Sequence, residues 1–169
     1  MEFIQYTINW TKGEILEAGI TAACGGLIVI CSLLFWKFGE TPFAKALIVP
    51  LLVVGCIPLI TGISGIMMNK KRIVALEKEW KLDEHRFLME EKERVEGFDE
   101  IFKYTYPGAF ICVVGGAILF FLLGSPTWKA VSLSLMVIGL MAYFIDHFAA
   151  ERADIYLEHI KSALKQFEI

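Results

Sequence analysis

Apolar and polar positions alternate along this chain in long blocks rather than residue by residue. Uncharged, largely apolar stretches cover residues 18–36, 46–69, 104–128 and 130–145. A helix that spans a bilayer needs about 20 such residues. The first three stretches meet that length as they stand. The fourth is shorter, so Lys129 is expected to extend its stem outward while Asp146 and His147 lie near the opposite interface. The pattern predicts an all-α integral membrane protein with four transmembrane helices.

The breaks between these stretches suggest two tandem helical hairpins. Thr41-Pro42 and Ser125-Pro126 each place a capping hydroxyl before a proline suited to a first helical turn. The expected organisation is an N-terminal arm at 1–17, a first hairpin at 18–68, a charged segment at 69–106, a second hairpin at 107–148 and an amphipathic C-terminal helix at 149–169. The two hairpins look alike. Gly39-Glu40-Thr41-Pro42-Phe43-Ala44-Lys45-Ala46 with Gly55 matches Gly124-Ser125-Pro126-Thr127-Trp128-Lys129-Ala130 with Gly139, once one residue before the proline is removed. Gly25-Gly26 is paired with Gly115-Gly116 in the same scheme and expected to let helices one and three approach. Duplication gives a parallel pair related by an axis along the membrane normal; shared turn chemistry is the competing explanation.

Composition supports lipid as the solvent. Hydrophobic residues make up 56% of the chain and the mean hydropathy is +0.59, well above a soluble domain. The formal charge of -3, from 19 acids and 16 bases, says little about partners because charge is concentrated outside the apolar stretches. Nucleic acid is not implied. Of the 16 basic residues, Lys37, Lys45 and Lys129 alone fall in the two short turns. The arm, the charged segment and the tail hold the rest. The positive-inside rule then puts both termini in the cytoplasm, with a bacterial plasma membrane as the location. Trp36 and Trp128 mark the outer interface, and Trp10, Tyr104 and Tyr106 the inner one.

The second transmembrane helix is expected to continue from residue 69 to residue 96 in the cytoplasm. Ile73, Leu76, Trp80, Phe87 and Val95 form an apolar stripe that Asp83, Glu84, Glu90 and Glu91 interrupt. Trp80 and Phe87 are the candidate face for a cytosolic protein or ligand. Glu77/Lys81 and Glu90/Arg94 have favourable i,i+4 spacing. Gly97 is placed to end this helix, and residues 98–106 to return along the interface. Lys70, Lys71 and Arg72 abut the membrane and are the candidate lipid or polyanion contact, although their role in fixing topology accounts for them.

Candidate chemistry is sparse. No nucleophile elbow, phosphate loop or zinc signature occurs, so no enzymatic activity, cofactor or metal is expected. Cys24, Cys31, Cys56 and Cys112 sit in apolar runs without C-x-x-C spacing and read as packing residues. Pro50, Gly55, Pro58, Gly62 and Gly65 in helix two suggest a kink and close packing. His147, Glu151, Asp154, Glu158, Lys161 and Lys165 share one face of the tail helix, opposite Ala153, Tyr156 and Ile160. That face lacks the converging ligands of a metal site.

Two functions follow from these features. The first is a homo-oligomeric pore gated from the cytoplasm, with Asp146, His147 and Glu151 at its inner mouth and a hydroxyl-lined or apolar constriction. The second is a membrane scaffold or accessory subunit that docks a cytosolic partner through the 70–96 helix.

Overall fold

The computed structural model describes residues 3–167, which form four α-helices. These are α1 (Phe3–Phe38), α2 (Pro42–Leu82), α3 (Glu84–Leu122) and α4 (Pro126–Leu164). The extreme ends of the expected arm and tail, residues 1–2 and 168–169, lie outside this range. The chain is all-α, and each helix carries a stretch long and apolar enough to cross a membrane. Each also runs far past that stretch. Helices of 36 to 41 residues are roughly 54–62 Å long at 1.5 Å per residue, about twice a bilayer core. Every rod therefore has an apolar half and a polar half.

Short connections join the apolar ends. The Thr41 hydroxyl accepts a hydrogen bond from the Ala44 amide at 3.1 Å, and the Ser125 hydroxyl accepts one from Trp128 at 3.4 Å. Each satisfies one of the free donors at a helix start, with proline in the first turn, as the sequence pattern predicts. Pro50 and Pro58 both lie inside α2, where the Thr61 hydroxyl donates to the Ile57 carbonyl at 3.0 Å.

The polar ends depart from expectation. The second helix does not reach residue 96: α2 stops at Leu82, and Asp83 alone is extended, with φ −161° and ψ 102°. Its carboxylate accepts from the Arg86 amide at 2.9 Å and starts α3. Gly97 does not end a helix, because α3 passes through it and through Pro107 to Leu122. The acids at 83 and 84, which interrupt the apolar stripe, are the break itself. A glycine inside a helix costs about 1 kcal/mol, and burial of Val95 with packing of Phe98 on either side offsets it.

The glycines also act differently from expectation. A methyl group on Gly25 would collide with the Leu59 backbone and would come within 2.7 Å of the Gly55 carbonyl oxygen. One on Gly116 would lie 2.8 Å from the Ser132 carbonyl oxygen, and one on Gly139 2.8 Å from that of Ala109. They draw α1 onto α2 and α3 onto α4, not α1 onto α3. Gly115 meets nothing among the described residues, and Gly116 lies nearer its turn than Gly25 does. The Gly25-Gly26 and Gly115-Gly116 pairs are therefore not equivalent in packing.

The polar half is a compact bundle of all four helices. Trp10, Leu88, Val95, Ala153, Tyr156, Leu157 and Ile160 form one buried cluster. Ile4, Ile8, Leu76 and Phe87 form a second. Toward the opposite end, Leu47 and Leu51 of α2 pack with Ala130 of α4. Between these regions the apolar side chains are extensively exposed, as on a surface that faces lipid.

Candidate functional site

The apolar halves hold little polar chemistry, so the site is sought where charge enters the core. Glu91 of α3 is 1% exposed, and burial of a carboxylate demands partners. It has three. Arg72 of α2 forms an ion pair with Oε2, Arg94 binds Oε1 at 2.7 Å, and Tyr156 of α4 hydrogen-bonds Oε1 at 2.9 Å. Tyr156 Oη also lies 2.9 Å from Thr7 Oγ1 of α1. One carboxylate thus ties together all four helices.

Local sequence sets each position. Glu91 lies between Leu88 and Val95, both fully buried, so its helical register points it inward. Arg94 spreads its guanidinium over the Trp10 ring at 4.5 Å and the Phe98 ring at 5.5 Å, an arrangement suited to its planar, weakly hydrated head. Burial and the neighbouring Glu91 charge both push the Tyr156 phenol up, so it remains a neutral donor.

A second acidic pair lies beside this centre. Glu14 Oε1 is 3.6 Å from Arg94, while Glu14 Oε2 is shut off from solvent without a hydrogen-bond partner among the described residues. Burial raises its carboxyl to about 7, against the lowering effect of Arg94 and Arg72. One turn on, Glu17 pairs with Arg152 of α4. Arg152 also donates to the Trp10 carbonyl at 3.0 Å. Its guanidinium occupies the space that a side chain at position 13 would need, so a larger residue there would require Arg152 to shift.

Above this pair α1 and α4 separate. A cleft of about 410 Å³ opens between them, lined by Ile20, Cys24, Met141, Phe144, Ile145 and Phe148, with Glu17 at its end. A smaller hollow of about 210 Å³ continues past Glu17 among Trp10, Glu14, Phe98, Phe102 and Arg152. The two share Glu17 and form one strip, apolar at one end and charged at the other.

The residues singled out from sequence fall elsewhere or take other roles. Lys70 and Lys71 are exposed, whereas Arg72 turns inward to Glu91. Phe87 is 5% exposed, covered with Leu76 by Ile4 and Ile8; Trp80 packs on the same cluster and stacks on Phe3 at 5.7 Å. The expected partner face is thus largely occupied by the chain's own N-terminal arm. Glu90 pairs with Arg86 at 2.7 Å, and Arg94 with Glu91. Asp146 is half-buried, its carbonyl accepting from the Tyr106 hydroxyl at 3.3 Å, while His147 and Glu151 lie one and five residues on along α4, both exposed. Sequence reasoning misses the centre built on Glu14, Glu17, Glu91, Arg94 and Arg152. An acid set inside an apolar stripe, as Glu91 is, is its one visible signal.

Comparison of the chain with protein-family models, curated proteins and solved structures gives no match.

Proposed function

We propose that this chain is a non-enzymatic membrane protein that assembles from several copies into a pore gated from the cytoplasmic side, with both termini in the cytoplasm. The observation that supports this reading is the continuity of the four helices. Each runs unbroken from the apolar half into the polar half, where one buried carboxylate joins them. A change at the polar end is then transmitted along rigid rods to the apolar end. Ser32, Ser132 and Ser134 are buried within the chain's own helix pairs, while Thr61 and Ser64 of α2 are exposed, so a conduit between copies would be largely apolar with a few hydroxyls and gate by dewetting. His147 and exposed Glu151, beside Asp146, stand at its inner mouth in this reading.

The test is the mass of the purified protein in lipid nanodiscs, followed by flux from liposomes. A ring of four or more copies with measurable flux supports the pore, and Asp146→Asn then alters conductance. A monomer without flux removes it.

One observation favours a scaffold instead. Val74 and Leu82 are 81% and 75% exposed on the polar half of α2, beside Glu77, Lys78 and Lys81. A docked cytosolic partner would cover that face rather than Trp80 and Phe87, and its recovery would fall in Leu82→Asp.

A further inference from the structure

We propose that the strip between α1 and α4 binds one ethanolamine-type phospholipid of the cytoplasmic leaflet, its acyl chain in the cleft and its headgroup at Glu14, Glu17 and Arg152. This binding does not depend on the pore reading.

The residues follow one face of each helix. On α1, Trp10, Glu14, Glu17, Ile20 and Cys24 recur every three or four positions, and Met141, Phe144, Phe148 and Arg152 do so on α4. The antiparallel helices place the apolar members deep in the spanning half and the charged members at its boundary. A leaflet lipid has the same order along the membrane normal. The cleft volume of about 410 Å³ is in the range of clefts that hold small ligands, roughly 300–1,000 Å³.

Charge selects the headgroup. Two carboxylates and one guanidinium line the polar end, which complements an ammonium joined to a phosphate better than a purely anionic group. Glu14 and Glu17 both line the hollow, and a primary ammonium has three donors to offer their carboxylates. Arg152 is about one-third exposed and so can meet the phosphate while it holds Glu17. Phe102 adds an aromatic wall to the hollow, beside the Trp10 and Phe98 rings that already carry the Arg94 guanidinium.

The full chain is purified into nanodiscs of equal parts phosphatidylethanolamine, phosphatidylglycerol and phosphatidylcholine, then delipidated in steps and weighed by native mass spectrometry. The expected result is one retained phosphatidylethanolamine, enriched about tenfold over each of the other lipids, the scale of one charge-assisted hydrogen bond. Ile20→Trp fills the cleft from an exposed position and should lose the bound lipid while the protein stays folded. Glu17→Gln should retain a lipid but lose the headgroup preference. Equal retention of the three lipids, a preference for phosphatidylglycerol or phosphatidylcholine, or unchanged retention in Ile20→Trp overturns the proposal.

Discussion

The hydroxyl of Tyr156 and the carboxylate of Glu91 lie 2.9 Å apart, both sealed from solvent, although 65 residues separate them in sequence. Their hydrogen bond joins α3 to α4 at the level where Arg72 brings in α2 and Thr7 brings in α1. Burial makes this joint strongly dependent on its partners. A buried charge that loses its counter-charge is costly, whereas a solvated pair contributes little.

Glu91→Ala should therefore lower stability by about 2–4 kcal/mol, short of the full cost because Arg72 and Arg94 are partly exposed and can rehydrate. Glu90→Ala, one residue away in the exposed pair with Arg86, should change stability by less than about 0.5 kcal/mol. Thermal unfolding in detergent micelles compares the two. Equal shifts would mean that Glu91 is not the joint.

Glu14 makes stability depend on pH. Its carboxyl is raised from 4.5 to about 7 in the native chain, so within that window the folded state holds a proton that the unfolded state has released. Stability is greatest below the window, falls as pH rises through it, and is lowest above it. Glu14→Gln should flatten this slope and be the more stable protein near pH 8, by on the order of 1–3 kcal/mol after loss of the Arg94 contact. Denaturant titrations across pH test this, and identical slopes for the two proteins would contradict it.

The glycines that allow close helix contact should separate sharply from those that do not. Gly25→Val drives a side chain into the Leu59 backbone, and Gly116→Val crowds Ser132 and Met136. Each should cost about 1–3 kcal/mol by overpacking. Gly115→Ala meets open space, and relief of the glycine entropy cost should leave it neutral or stabilised by about 0.5–1 kcal/mol. Unfolding midpoints of the three variants decide the matter.

The continuous course of α3 gives a fourth pair of expectations. Gly97 has nothing near its missing Cβ among the described residues, so Gly97→Ala should stabilise by about 0.5–1 kcal/mol if the helix passes through it. Asp83→Ala removes the cap at the true break and should cost about 1 kcal/mol. Destabilisation by Gly97→Ala would restore a helix end at that position.

The four long helices, their two capped starts and the amphipathic tail are legible because each rests on local sequence: an apolar run, Thr-Pro or Ser-Pro, and a 3.6-residue period. The α2–α3 break is harder to place because Asp83 and Gly97 both carry terminator chemistry, and only the packing of Val95 and Phe98 decides between them. The site is less legible. Glu91 stands out as an acid in an apolar stripe, yet its partners Arg72 and Tyr156 lie on other helices. Trp80 and Phe87 look available because sequence does not reveal that Phe3, Ile4 and Ile8 cover them.

The bond between Thr7 and Tyr156 spans 149 residues, and it sets an order on synthesis. The first helix leaves the ribosome long before α4, and its Thr7 and Trp10 faces wait for Tyr156, which is translated later. A chain cut short within α4, before Tyr156, would leave Glu91, Leu88 and Trp10 as an uncovered patch of charge and aromatic surface. Quality-control proteases and chaperones recognise such patches, so the same joint that links the finished helices also marks the unfinished chain for removal.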